Sequence, residues 1–229
     1  KDIDPKVVIH LAAKHGNSNE NASEPFEHLL QNIMISSNIF RACVKPKFLI
    51  EKLVCIGTAC SYPASASMPL NEEDLWNGLP GGSTEGYGIA KRLPFILAEK
   101  AQKQYGFNAI NLIFTNTYGP RNLRGVLAEN VKRFLDSKEE NSRYVECWGD
   151  GNPTRDFVYI DDACRAIILA TQHYNDPKPV NISSGVEISI KELVELIKEK
   201  VGYKGKIRWD KSKPQTQGRR VLDSTKAYE

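Results

Sequence analysis

Tyr87-Gly88-Ile89-Ala90-Lys91 sets a phenol and an ammonium four residues apart, behind Gly86 and at the head of an apolar-periodic run of Ile89, Leu93, Ile96 and Leu97. Positions i and i+4 share one face of a helix, so the spacing predicts a helix over 87–104 carrying both groups on one side. A free tyrosine has a pKa near ~10 and is a poor acid or base at neutral pH. A lysine cation beside it stabilises the phenolate and brings the group into working range. The spacing by itself is common, and its plain structural alternative is a surface tyrosine lying on a lysine stem. The surrounding segments decide between the two.

Upstream lies Val7-Val8-Ile9-His10-Leu11-Ala12-Ala13, a buried-strand pattern ending in small residues, followed by Leu53-Val54-Cys55-Ile56-Gly57-Thr58-Ala59-Cys60, a second such run ending in a hydroxyl. Downstream is Thr115-Asn116-Thr117-Tyr118-Gly119-Pro120. Strand-length apolar runs recur at 7–11, 49–56, 109–114, 157–160 and 179–183, with helix-period segments near 26–43, 87–104, 126–136, 161–173 and 189–201 between or after them. Strands alternating with helices predict an α/β protein with a parallel sheet. Ser189-Ile190-Lys191-Glu192 reads as a capping box, and Gly202 as the stop of the helix it opens. Repeats and low-complexity segments are absent.

The 229 residues suffice for one domain or two small ones. Hydrophobic content of 41% and charged content of 26% are ordinary for a globular enzyme. A net charge of +3 gives no case for a nucleic-acid partner; the local basic excess, Lys204 to Arg220, reads as a solvated face. No apolar run approaches the ~18 residues of a membrane span, and no signal peptide is visible. The five cysteines, at 43, 55, 60, 147 and 164, have no C-x-x-C spacing. They read as reduced cytosolic thiols, with neither a disulfide framework nor a metal site. Buried packing is the expectation for Cys43, Cys55 and Cys164. The sequons at Asn21 and Asn181 read as chance matches.

Taken in order, these segments resemble the extended short-chain dehydrogenase/reductase superfamily, the NAD-dependent epimerases and dehydratases of nucleotide sugars, over essentially the whole chain. The resemblance implies a Rossmann-like parallel sheet with a small C-terminal α+β substrate domain. Residues 1–118 would be a partial dinucleotide-binding domain and 119–229 mainly the substrate domain, with 155–185 returning to the Rossmann sheet. Within the family, Gly57-Thr58-Ala59-Cys60-Ser61-Tyr62-Pro63, Gln31 to Ile39, Trp148-Gly149-Asp150-Gly151, Thr154-Arg155-Asp156-Phe157, and Ser212-Lys213-Pro214 followed by Arg219-Arg220-Val221-Leu222-Asp223 are similar to segments of the GDP-L-fucose synthases.

That likeness implies an NADP(H)- or NAD(H)-dependent epimerase/reductase acting on a GDP-4-keto-6-deoxy sugar, cytoplasmic and homodimeric. Thr58, Tyr87 and Lys91 would be the catalytic triad and Cys60 a proton carrier for epimerisation at C3 and C5. Leu11, Ala12, Ala13, Asn32, Lys91 and Asn116 would face the cofactor. Asn116, Arg133, Trp148, Arg155 and Lys213 would face the diphosphate sugar. For Trp148 core filling is an equal alternative, and for Arg155 a local ion pair with Asp156. The acidic neighbour that a 4,6-dehydratase would carry after the strand-end Thr is replaced by Ala59-Cys60. A 4-epimerase, a 4-reductase without epimerisation, and a catalytically silent cofactor sensor stay as alternatives.

Two departures from the family pattern stand out. The Gly-x-x-Gly-x-x-Gly turn that carries a pyrophosphate is not in the chain, and the His10-Leu11-Ala12-Ala13 strand corresponds to the family's fourth. The expectation is therefore a chain trimmed at both ends, with an open sheet edge and weak affinity for the dinucleotide. The second epimerisation residue, a histidine in the family, falls on Gly125. Lys14, His15, Arg121 and Arg124 are the candidate substitutes, His15 because its imidazole titrates near neutrality and lies in an active-site loop.

Overall fold

The computed structural model describes residues 4–16, 18–45, 49–212 and 218–229. Four parallel strands form the main sheet in the order β1–β2–β3–β7: β1 is Val7–His10, β2 Lys52–Thr58, β3 Asn108–Phe114 and β7 Val180–Ile182. β1 lies at one edge, and its Val7 and Ile9 side chains are exposed. The long helices α2 (Pro25–Cys43) and α3 (Glu85–Tyr105) cover one face, and α5 (Ile160–His173) the other. A short α1 (Ser18–Ser23) precedes α2.

β2 shows why this sheet is a two-sided core. Leu53 and Cys55 pack with Phe40, Ala98, Ala101 and Phe107 under α2 and α3. Val54, one residue out of phase, packs with Ile110, Leu112, Phe114 and Ala163 under α5. Alternate strand side chains leave opposite faces, so a strand covered on both sides reads as continuously apolar. Each fully buried Leu, Ile or Val stabilises the fold by roughly 1.5–3 kcal/mol. Lys52 opens the strand and folds over the end of α5, donating to the Thr171 carbonyl at 2.5 Å and the Tyr174 carbonyl at 3.0 Å. A cation at a helix C-terminus satisfies carbonyls that have no intrahelical donor.

The remaining elements form a second layer. β4 (Asn116–Tyr118) and β10 (Arg219–Arg220) flank β6 (Thr154–Tyr159) in parallel, and β8 (Glu187–Ser189) pairs with β6 antiparallel. β5 (Tyr144–Trp148) pairs in parallel with β9 (Lys206–Asp210). Helices α4 (Val126–Glu139) and α6 (Ile190–Val201) close a core of Phe134, Val145, Cys147, Leu193, Val194, Ile197 and Tyr203 around that pair. A last helical turn, α7, spans Thr225–Tyr228.

Helices and main strands lie where the periodicity put them, within three residues at every boundary. The capping box is formed: the Ser189 hydroxyl accepts from the Glu192 amide, the Glu192 carboxylate accepts from the Ser189 amide, and Gly202 closes α6 in the left-handed region at φ 71°. Periodicity did not reveal β4, β5, β8, β9 and β10, five short strands in which two to five residues carry too little pattern. One cysteine expectation fails: Cys164 is exposed. It follows buried Ala163 on α5, and about 100° of helical rotation turns it to solvent.

A buried polar knot ties the two layers together. Asn181 on β7 is fully buried; its amide nitrogen donates to the carbonyls of Leu70 and Asp223, and its amide oxygen accepts from the Tyr62 hydroxyl at 2.7 Å. The Asn181 backbone amide donates to the Glu72 carboxylate at 2.7 Å. Leu70 and Leu222 form a parallel bridge beside it.

Candidate functional site

The site forms where β2 ends. Thr58 is the last residue of the strand, extended at φ −147°, and its hydroxyl accepts from the Cys60 amide at 3.2 Å, starting the 3-10 turn Ala59–Ser61. The first turns of α3 lie directly on that turn. A side chain at Gly88 would collide with the Cys60 carbonyl oxygen, and also approach Pro80 to 3.0 Å. The close approach is what Gly88 permits. Arg92, one helical turn on, donates to the Ser61 carbonyl at 2.6 Å and the Gly78 carbonyl at 2.8 Å, pinning helix to turn. Tyr87 is thereby buried near the Cys60 sulfur, and Lys91, one turn further along the helix, lies near Cys55 and His10.

Their protonation differs from the sequence expectation. The Tyr87 phenol is pushed up to about 12, by burial first and then by the Cys60 sulfur. Burial also pulls the Lys91 ammonium down from its usual value, with the Cys55 thiol acting the other way. The expected depression of Tyr87 by Lys91 is not found. Desolvation penalises a buried phenolate, and the Cys60 sulfur acts in the same direction. The phenol stays protonated at neutral pH, which is the charge state of a proton donor.

Lys91 is only 7% exposed, and among the described residues no hydrogen bond reaches it. A buried ammonium in that condition fits a polar group arriving from outside the chain, such as the hydroxyls of a nucleotide ribose. Leu11, Ala12 and Ala13 run past the end of β1, with Leu11 and Ala12 exposed and Ala13 half-buried. Asn32 has a different task from the one expected. Its amide accepts from the Lys14 backbone amide and donates to the carbonyls of Lys14 and His28, so it fixes the 14–16 loop and has no donor left for a cofactor.

That loop brings His15 to the site. Its imidazole meets the Tyr87 ring edge-on, with centroids 5.9 Å apart. Its pKa is lowered by burial first, then by Arg124, His28 and Lys91, with Glu20 opposing. The imidazole is thus biased to its neutral form. Gly125 is the N-cap of α4, at φ 89° and ψ 164°, with open space where a Cβ would stand. That backbone region disfavours L side chains, so a histidine there would carry strain.

The sequence reading missed one group. β10 pairs with β6 so that Arg220 stands opposite Arg155. The Arg220 guanidinium donates to the Cys60 sulfur at 3.3 Å. Arg155 is buried, donates to the Thr154 carbonyl, and is lowered to about 10 by burial and then by Arg220. The alternative of an Arg155–Asp156 ion pair does not hold: Asp156 leaves the other face of β6 and accepts from the Ser184 hydroxyl at 2.9 Å. The signal for Arg220 was the Arg219-Arg220-Val221-Leu222-Asp223 motif, noted without a role for its second arginine.

The outer candidates are more dispersed. Trp148 is 55% exposed, which removes core filling as its role. Arg133 donates to the Glu146 carbonyl at 3.0 Å and lines a cleft of about 310 Å³ with Leu123 and Lys132. Asn116 is exposed, its amide donating to the Asp156 carbonyl at 3.2 Å. Lys213 lies outside the described residues.

Comparison with known proteins places the whole chain in a family. The profile of the NAD dependent epimerase/dehydratase family matches residues 1–183. The probable GDP-L-fucose synthase 1 of Oryza sativa subsp. japonica is 36% identical, over 98% of this chain and 70% of its own length. The GDP-L-fucose synthase of Escherichia coli K12 is 34% identical, over 97% of this chain and 73% of its own. Among solved structures, a GDP-mannoheptose C4 reductase from Campylobacter jejuni with NADP bound superposes with a TM-score of 0.89 at 28% identity, covering 98% of this chain and 74% of that one. A GDP-L-fucose synthetase from Naegleria fowleri bound to NADP gives 0.89 at 26% identity, covering 97% and 70%. A strand-end Thr-x-Cys turn clasped by a Tyr-x-x-x-Lys helix, on a parallel sheet matched along its length, makes this chain a member of the NAD dependent epimerase/dehydratase family.

Proposed function

We propose that the chain is an NADP(H)-dependent nucleotide-sugar epimerase/reductase, similar to the GDP-L-fucose synthases and acting on a GDP-4-keto sugar. The observation that carries the reading is the seating of α3 on the Thr58–Cys60 turn through Gly88. Support comes from Tyr87, a proton donor near the Cys60 sulfur, on the helix that rests on the turn Thr58 opens. The bound dinucleotide supplies a hydride to C4. Tyr87, protonated at neutral pH, gives its phenolic proton to the C4 oxygen, and Thr58 hydrogen-bonds the same oxygen. Lys91 holds the ribose. Cys60 takes the proton at C3 or C5, which the 4-keto group acidifies. Arg133, Arg155 and Trp148, with Asn116, are the contacts for the diphosphate and sugar. Residues 1–118 serve mainly the cofactor and 119–229 mainly the substrate, with α5 and β7 returning to the main sheet and β6 staying in the second layer. We take the active form to be a cytoplasmic homodimer; among the described residues no helix is long and apolar enough to cross a membrane.

A second reading is a 4-reductase with little epimerisation. Gly125 favours it, because no side chain projects from the N-cap of α4. The protein is tested with NADPH and GDP-4-keto-6-deoxymannose in D₂O. Oxidation of NADPH with deuterium entering C3 and C5 supports the first reading. Oxidation without deuterium supports the second. Absence of both refutes each. In the first case His15, beside Tyr87, is the group placed to return a proton where Gly125 offers none.

A further inference from the structure

We propose that Arg220 is the positioning residue for Cys60, holding its sulfur in the site and supplying the positive charge against which the thiolate forms. The contact is direct, at 3.3 Å. Its placement is built in: β10 has two residues, and their parallel pairing with β6 fixes Arg219 beside Thr154 and Arg220 beside Arg155. Each flank of that strand is anchored. Arg219 forms a bidentate pair with Glu187 at 2.8 and 2.7 Å, and Leu222 bridges Leu70. Arg220 is therefore delivered to Cys60 by backbone geometry and not by a flexible stem alone.

The neighbourhood gives this arrangement a reason. Strand pairing sets the guanidiniums of Arg155 and Arg220 side by side, and like charges in a half-buried place repel. A negative charge next to both offsets that cost. The Cys60 sulfur touches Arg220 and also interacts favourably with Arg155 when ionised. A thiolate, and not a thiol, is the form that attacks carbon or accepts a proton. In the proton step the substrate C–H bond breaks, an S–H bond forms, and the electron pair moves into the enolate at C4. Arg220 then faces a neutral thiol until the proton is returned. This role rests on the epimerase/reductase reading only for its purpose in turnover; the pairing itself is testable without substrate or cofactor.

The test is site-resolved alkylation of the protein by iodoacetamide at fixed neutral pH, followed by mass spectrometry, with exposed Cys164 as internal reference. In Arg220→Met the Cys60 rate is expected to fall about tenfold or more, the worth of one hydrogen bond to a charged group, while the Cys164 rate is unchanged. Arg220→Lys, which keeps the charge, is expected to recover most of the loss. An unchanged Cys60 rate in Arg220→Met overturns the proposal. So does a loss in Arg220→Lys equal to that in Arg220→Met, or a rise at Cys60, which would mean that Arg220 only shields the thiol. With substrate present, Arg220→Met should slow deuterium entry more than C4 reduction; equal slowing of both would make Arg220 a binding residue instead.

Discussion

Single side chains in this site owe their states to burial more than to partners. Tyr87 held near 12 predicts that Tyr87→Phe lowers C4 reduction by roughly 10²–10⁴-fold, the value of a positioned acid, with dinucleotide binding nearly kept. Single-turnover NADPH oxidation checks it, and near-normal turnover would remove Tyr87 from the mechanism. His10 and His15 both have lowered pKa values, each chiefly by burial. The unfolded chain therefore binds more protons than the folded one below the ordinary imidazole value of 6.5. Stability should be full above that value and fall with acidity until the folded groups titrate. The urea midpoint is expected to drop between about pH 7 and 5.5, before the carboxylates begin to titrate. A double change to Gln at both positions should flatten that slope. Tyr87 and Lys91 were legible as a pair because helical spacing sets both on one face, whereas Thr58 and Cys60 stood out only through the likeness of their strand-end turn to the family's. Arg220 was not legible, since an arginine 160 residues away announces nothing until strand pairing delivers it. Asn32 was misjudged for a related reason: a polar residue on a helix looks the same whether its amide faces a ligand or its own loop.

Among the elements, those with long periodic stretches declared themselves, and those held by two to five ladder residues did not. β10 acquires its strand form from β6, so no local preference could reveal it. α6 lies at the other extreme, with both ends written in the sequence. Ser189→Ala removes the hydroxyl that accepts from Glu192. It is expected to cost about 1 kcal/mol of stability, within the usual cap range, read as a lower urea midpoint at unchanged slope. Ser189→Asp should recover most of it, and no change in either variant would mean that the packing of Leu193, Val194 and Ile197 alone sets the helix start. α3 and the Thr58–Cys60 turn touch through backbone at Gly88, so their separation does not depend on side-chain fit.

Taken whole, the molecule is two cores stitched by polar contacts at their seam. Asn181 holds four of those contacts: Tyr62, Leu70 and Asp223 through its side chain and Glu72 through its backbone. Asn181→Ala leaves the three side-chain partners buried or half-buried without it. The Leu70 carbonyl still accepts from the Asp223 amide, so the expected loss is about 2–3 kcal/mol, from the Tyr62 hydroxyl and the Asp223 carbonyl left unpaired, seen in thermal or urea unfolding. A loss under about 1 kcal/mol would show that water replaces the amide. The same seam carries residues 219–223 back to Cys60, and this sets an order of events in time. A ribosome adds about 5–20 residues per second, and 160 residues separate Cys60 from Arg220. For roughly 8–32 seconds of synthesis the thiol exists without its guanidinium. The contact is completed only after its scaffold has been made, and until then the nascent chain holds a cysteine that lacks the guanidinium touching its sulfur.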